Sequence, residues 1–419
     1  MSTRPSLRFC ALAVALTAVL GTSGAWSQAN VQNVPSALGS LRLTTIATGL
    51  QNPWGLAVLP DGRYLVTERP GRLRVVTPQG GVSTALSGVP TVFAQGQGGL
   101  LDVALDPAFA TNRRVYLSFA EPGSNGTAGT AVFRGELNAD ATALTNGSVI
   151  FRVAPKLNTQ GHFGSRLAFG PDGFLYITSG DNQSNATAQR QDQHQGKIIR
   201  IRTDGTVPPD NPFVGNSAWR PEIWSTGHRS PQGMAFHPST GRLWMTEHGP
   251  RGGDELNRVG RGLNYGWPTI TWGLGYDGRP IPESTGSSAP GLEQPQHQWT
   301  PSIGTSGLAF YAHRRSPEWI GSVFVGGLVT RSLHRLRLDA NHQVVFQEQL
   351  LSGLNWRIRD VRVAPDGALL ILTDDTNGRV LRLEPPAVTP RGKRPVTLPR
   401  SIPAKSGDEP VDRRAADRR

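Results

Sequence analysis

The chain has 419 residues, among them 50 glycines and 33 prolines, and carries a formal net charge of +12. That length buries a sizeable core, and the wealth of turn residues, with few long helical patterns, argues for many short strands joined by tight reversals. The charge does not argue for nucleic acid, because much of it sits at the two ends and leaves an ordinary balance between them.

In chain order the first element is a leader over residues 1–27. Arg4 and Arg8 precede an apolar run, and small residues lead to a plausible cut near Ala25-Trp26-Ser27, the pattern of a secretory signal peptide. The apolar run is too short for a membrane span, so no stable membrane insertion is expected. No Arg-Arg pair is present, which favours general secretion and a periplasmic or secreted protein. The single cysteine, Cys10, lies inside this leader, so no disulfide is expected in the mature chain.

Residues 28–385 then repeat one theme six times: an apolar strand, a turn, and a second apolar strand ending in a small or acidic residue. The repeats begin with "GLAVLPDGRYLVTE" at Gly55, "DVALDPAFATNRRVYLSFA" at Asp102 and "LAFGPDGFLYITSGD" at Leu167. They continue with "GMAFHPSTGRLWMTEHG" at Gly233, "GLAFYAHRRSPEWIGSVFVGGL" at Gly307 and "DVRVAPDGALLILTDD" at Asp360. Further strand candidates such as "RLRVVTP", "GKIIRIR" and "GRVLRLE" supply the outer part of each unit. The pattern predicts an all-β fold, a six-bladed β-propeller with four-stranded antiparallel blades. Residues 386–419 form a basic, Pro-rich tail with nine Lys/Arg against four Asp/Glu and no apolar periodicity, expected to be disordered.

Polar signals cluster just before or just after the repeated hairpins. Gln97 stands in "GQGGLLD", His162 in "GHFGSR", Arg229 in "STGHRSPQG", and Arg357 with Arg359 in "LNWRIRDVR"; "EHGPRGGDELN" follows the fourth hairpin. In a radial fold equivalent loops converge on one face, so residues far apart in sequence are expected to meet there.

Taken in order, "GQGGLLDVALDP", "GHFGSRLAFGPDGFLYITSGD", "GHRSPQGMAFHP", "EHGPRGGDELNRVGRGLNYGWP" and "WRIRDVRVAPDG" resemble the soluble aldose sugar (glucose/sorbosone) dehydrogenases. The resemblance runs from about Leu41 to Leu383. It implies a six-bladed propeller, pyrroloquinoline quinone (PQQ) and calcium as cofactors, and oxidation of aldoses at the anomeric carbon to lactones. It implies His162 as general base, Asp181 as the carboxylate supporting it, and Arg229 beside the reactive carbonyl. Gln97, Arg229, Ser230, Arg357 and Arg359 would meet the cofactor. Gly249 and Pro250 would hold its calcium through backbone carbonyls, and Glu255 with Tyr265 would form a separate calcium site. Two departures stand out. Ser230 replaces the family's asparagine in "HRNPQG", and "GGLVTRSL" lacks a lysine that some members carry in the fifth blade.

The chemistry can also be argued from side chains. Oxidising a hemiacetal needs a base for the hydroxyl proton, which a neutral imidazole near a carboxylate suits. It also needs a hydride acceptor that no side chain offers, so a redox cofactor is required. No GxGxxG loop stands between a strand and a helix, which argues against a nicotinamide. Arginines suit the carboxylates of PQQ, and backbone carbonyls suit calcium. The partners expected are an aldose sugar and a soluble electron acceptor.

Plainer readings stay open for several residues. Asp181 also fits a turn cap, Asp254 and Glu255 a solvated acidic pair, and Arg357 and Arg359 the wet face of a strand. "NYGWP" reads as packing around Trp267, and His194 receives no role. Two other functions also fit a propeller. A calcium-dependent lactonase would gather carboxylates and asparagines on one central metal; a glycan- or protein-binding propeller would not need His162.

Overall fold

The computed structural model describes residues 30–385, so the leader expected over 1–27 and the tail expected over 386–419 lie outside the described residues. Six antiparallel sheets follow one another around an axis, as a six-bladed β-propeller requires. Their inner strands are Pro53–Val58, Leu100–Leu105, Leu167–Phe169, Pro231–Phe236, Thr305–Phe310 and Ile358–Val363. Blades two to five each have four strands.

Blades one and six depart from four strands, and ring closure explains blade six. Its sheet contains Ile358–Val363, Leu369–Thr373 and Gly378–Glu384, then Gly39–Leu50 and Asn30–Ser36 from the other end of the chain. Leu43 pairs with Leu383 in this seam, so the ring is closed by hydrogen bonds between segments from opposite ends of the chain. Blade one keeps three strands, with residues 82–86 held at its outer edge through Ser83 N to Val75 O (2.9 Å) and Leu86 N to Leu73 O (2.9 Å).

The local sequence explains each hairpin. In blade three, Pro171-Asp172-Gly173 reverses the chain with Gly173 at φ +78°, a conformation glycine adopts without Cβ strain. The second strands, such as Leu175–Ser179 and Leu243–Glu247, are buried along their whole length because blades pack on both faces. Apolar side chains fill six seams, one between each pair of neighbouring blades. No helix among the described residues is long and apolar enough to cross a membrane.

Five inner strands carry a register irregularity near their start, at Pro53/Leu56, Leu100/Val103, Pro231/Gly233, Thr305/Leu308 and Ile358/Asp360. Such bulges bend a strand and re-aim the residues beside it. Hydroxyls from second strands fill the gaps. Gly55 N donates to Thr67 Oγ1 (2.9 Å), Asp102 N to Ser118 Oγ (2.9 Å) and Gly233 N to Thr246 Oγ1 (3.0 Å). The three hydroxyls donate onward to carbonyls of the following blade, at Leu101, Ser165 and Ser306.

The axis is closed by a buried ion network. Arg166 Nη1 meets Asp102 Oδ1 at 3.0 Å and Asp360 Oδ1 at 3.1 Å, and Arg362 meets the same two carboxylates at 2.9 Å each. Asp102 Oδ2 accepts from Leu167 N (2.9 Å), and Asp360 Oδ2, which also takes Arg362 Nε, accepts from Leu56 N (3.2 Å), while Arg166 Nε donates to Gln232 O (2.9 Å). Gly55 and Gly307 are small by necessity, since a Cβ would fall 2.6 Å from Asp102 Oδ1 and 2.4 Å from Asp360 Oδ1.

Removing one member of such a network leaves buried charge unpaired. Arg166→Met is expected to cost about 3–5 kcal/mol of unfolding free energy, as read by urea denaturation. A loss below about 1 kcal/mol would show that the network does not hold the axis.

Candidate active site

His162 precedes the third inner strand on a turn of left-handed backbone, with φ +53° at His162, +66° at Gly164 and +79° at Ser165. Gly164 is needed there, because a Cβ would lie 2.8 Å from Gly180 N. The His162 peptide groups are pinned from two sides. Its N–H donates to Gln97 Oε1 (2.8 Å) and its carbonyl accepts from Asn182 Nδ2 (3.1 Å).

His162 Nδ1 lies 2.7 Å from Asp181 Oδ1. Asp181 is fully buried and also accepts from Gln183 N (2.8 Å) and from the Trp267 indole Nε1 (2.8 Å). A carboxylate surrounded by donors is an acceptor, so the imidazole proton belongs on Nδ1 and the lone pair on Nε2. Asp181 therefore orients the His162 ring, beyond the turn cap that its own segment suggests. Trp267, read from sequence as packing, fixes Asp181 across the blade seam and carries the Arg229 guanidinium over its ring at 5.3 Å.

Arg229 is buried and joins both halves of the site. Its carbonyl accepts from Asp181 N (2.8 Å), and its Nη1 donates to the carbonyls of Gly249 (2.9 Å) and His248 (3.3 Å). Ser230 is also buried, its Oγ accepting from Gln232 Nε2 (3.1 Å). Gly249 N donates to Asp254 Oδ1 (3.1 Å), and Asp254 Oδ2 accepts from the Gly304 and Thr305 amides. Asp254 thus binds the loop together and is not part of a solvated acidic pair.

A cavity of about 160 Å³ opens beside this turn, bounded by Phe163 and Gly164 and reached by Gln97, Gln232, Arg357 and Arg359. Arg359 Nη2 meets Asp374 Oδ2 at 2.7 Å and Arg357 Nη2 meets the same oxygen at 3.3 Å. Burial alone would raise the Asp374 carboxyl, but Arg359, with Arg357 and Arg69, holds it well below the usual carboxylate range. Arg357 and Arg359 are therefore held toward a cavity and are not simply the wet face of a strand. Sequence reasoning missed Arg69, His248 and Asp374, all in the cavity wall. His248 donates its Nε2–H to Thr305 O (2.6 Å), and burial pushes its pKa down to about 4, so it is neutral near pH 7.

Glu255 and Tyr265 stand apart from this cavity. Burial, then the facing Glu247 carboxylate, pushes Glu255 up to about 8, although Asn257 Nδ2 donates to it at 3.0 Å. The Tyr265 hydroxyl is engaged on both sides, donating to Arg258 O (2.6 Å) and accepting from Gly260 N (2.9 Å). Any metal ligand from Tyr265 is therefore its backbone carbonyl. Among the described residues no three His, Cys, Asp or Glu side chains gather as a metal cluster.

The Glucose / Sorbosone dehydrogenase family matches residues 50–382. The chain is 45% identical over 351 residues to an aldose sugar dehydrogenase of Escherichia coli, YliI, spanning 84% of this chain and 94% of that one. A crystal structure of a glucose dehydrogenase superposes with a TM-score of 0.80 at 52% identity, covering 81% of this chain and 98% of that one. The PQQ-bound form of an aldose sugar dehydrogenase from Streptomyces coelicolor superposes with a TM-score of 0.68 at 32% identity, covering 81% and 96%.

The tautomer can be checked directly. Nitrogen-15 spectra of the neutral His162 ring are expected to place the proton on Nδ1. Asp181→Ala is expected to shift the population toward the Nε2–H form. A wild-type ring protonated on Nε2 would refute the assignment.

Proposed function

The chain belongs to the glucose/sorbosone dehydrogenase family, and on that premise we propose that it oxidises aldose sugars at the anomeric carbon to lactones, using PQQ and calcium. The observation that carries the reading is the oriented His162–Asp181 pair beside a cavity lined by cations.

The chain's own residues supply the proton chemistry. His162 Nε2 takes the proton of the anomeric hydroxyl, and Asp181, 2.7 Å from Nδ1, stabilises the imidazolium that forms. Gln97 holds the turn that aims the ring. Arg357 and Arg359 suit the carboxylates of PQQ through planar, charge-assisted hydrogen bonds, and Ser230 acts through Gln232, whose side chain it braces at the cavity. Bound there, PQQ supplies the hydride acceptor that no side chain offers. Arg229 contributes a fixed cation where negative charge develops during hydride transfer.

Calcium is suited by hard oxygen donors. The carbonyls of Gly249 and Pro250 are of that kind, and calcium there would supply a Lewis acid. At Gly249 it would share the carbonyl with Arg229 Nη1 or take its place. A second calcium at Glu255 and the Tyr265 carbonyl would relieve the repulsion that Glu247 imposes on Glu255. We further propose a periplasmic or secreted location and transfer of the electrons to a soluble acceptor, with no role for nucleic acid.

Purified protein supplied with PQQ and calcium is expected to reduce a redox dye in an aldose-dependent manner. Failure to do so with PQQ bound would overturn the reading. At saturating PQQ, His162→Ala is expected to lower kcat by about 10²–10⁴-fold without changing the melting temperature. An unchanged kcat would remove His162 as the base. Chelation should abolish turnover and calcium should restore it; full activity in calcium-free protein would dismiss the metal.

A further inference from the structure

The cavity wall holds three guanidinium groups, Arg69, Arg357 and Arg359, against one carboxylate, Asp374. Asp374 already has partners. Its Oδ2 serves Arg357 and Arg359, and its Oδ1 accepts from Asn52 Nδ2 at 3.4 Å.

Arg69 is the cation left over. Its backbone is fixed at the junction of blades one and two, with N donating to Asn52 O (3.2 Å) and O accepting from Leu100 N (3.0 Å). Its side chain has no hydrogen bond or ion pair among the described residues, and its Nε is shut off from water without a partner. The preceding residue, Glu68, does not serve it, being held by Arg72 and Arg74 at 2.7 Å each. Burial lowers the Arg69 pKa; Asp374 partly offsets this, and Arg359 and Arg357 lower it further. A structural arginine half-buried in a propeller would be expected to carry a carboxylate or carbonyl partner, as Arg166 and Arg335 do here.

We propose that Arg69 is a third anchor for the carboxylates of the anionic cofactor, beside Arg357 and Arg359. The inference rests on the quinoprotein reading for the identity of the ligand, while the anion requirement itself comes from the charge excess of the wall. A polycarboxylate brings the charge that this wall lacks, and its arrival would give Arg69 the partner that the protein does not.

The test is equilibrium titration of metal-free apo-protein with PQQ, followed by absorbance, together with thermal melts of the apo-protein. Arg69→Met is expected to weaken PQQ by about tenfold or more, with Arg69→Lys recovering part of the loss. The apo melting temperature should stay level or rise in Arg69→Met, because an uncompensated cation has gone. A structural arginine would instead lower it. Equal PQQ affinity in wild type and Arg69→Met overturns the inference while leaving the sugar dehydrogenase reading intact. Trimellitate, a plain aromatic tricarboxylate, separates the two ideas. If wild type ignores PQQ but binds trimellitate in an Arg69-dependent way, the anchor stands and the cofactor reading falls. If neither ligand binds, both fall.

Discussion

Two aspartates and two arginines on the axis hold this molecule together. Asp102 comes from blade two and Asp360 from blade six, and Arg166 and Arg362 bridge them. Through backbone partners the same four side chains reach blades one, three and four, while Gly307 brings blade five against Asp360. Buried ions are costly to desolvate, and such a network is favourable only when every charge is matched and hydrogen-bonded. Here two cations meet two anions, so the balance is neutral. The axis is thereby closed to outside ligands and committed to geometry.

The mouth cavity has the opposite electrostatic character. Three arginines face one carboxylate, which pairs with only two of them. The contrast separates structural charge from charge directed at a ligand. Both regions use the same residue types, and Arg166 even stacks on the Trp54 ring (4.2 Å) that also lines the cavity. Matching decides their roles. A neutral network rigidifies, whereas an excess of guanidinium in a low-dielectric pocket attracts an anion strongly.

The repeats were legible because their turns carry their own chemistry. Pro-Asp-Gly and apolar runs identify six hairpins, and the position of His162 on a glycine-flanked lead-in marks it as unusual. The features that stay hidden in the sequence depend on partners far away in it. Trp267 meets Asp181 across 86 residues, and nothing in "NYGWP" announces it. The five-stranded sixth blade needs both chain ends, which a local pattern does not register. Arg69 does carry a sequence signal, though a faint one. Thr67 and Thr246 occupy equivalent places in blades one and four, each receiving an inner-strand amide, so Arg69 stands where the fourth repeat has His248. Aligning the repeats on that threonine brings Arg69 to the mouth.

The same dependence on distant partners explains why His162 is where it is. A non-glycine residue at φ +53° costs of order 1–3 kcal/mol unless its surroundings over-determine it. His162 is held by Gln97, which precedes blade two, and by Asn182 and Asp181 in blade three. Asp181 is held in turn by Trp267 and the Arg229 carbonyl from blade four. Each of these groups arrives on a loop whose course is set by a bulged inner strand or by a glycine-bearing turn. No single blade can impose the strained turn, so its cost is met only after neighbouring blades have docked. In a simple solenoid each repeat adds stability almost independently of distant ones. Here the ring is closed by the Leu43–Leu383 strand pair, and the axial ions tie together blades that lie far apart in the sequence. The oriented imidazole is a property of the closed ring and not of the motif that contains it.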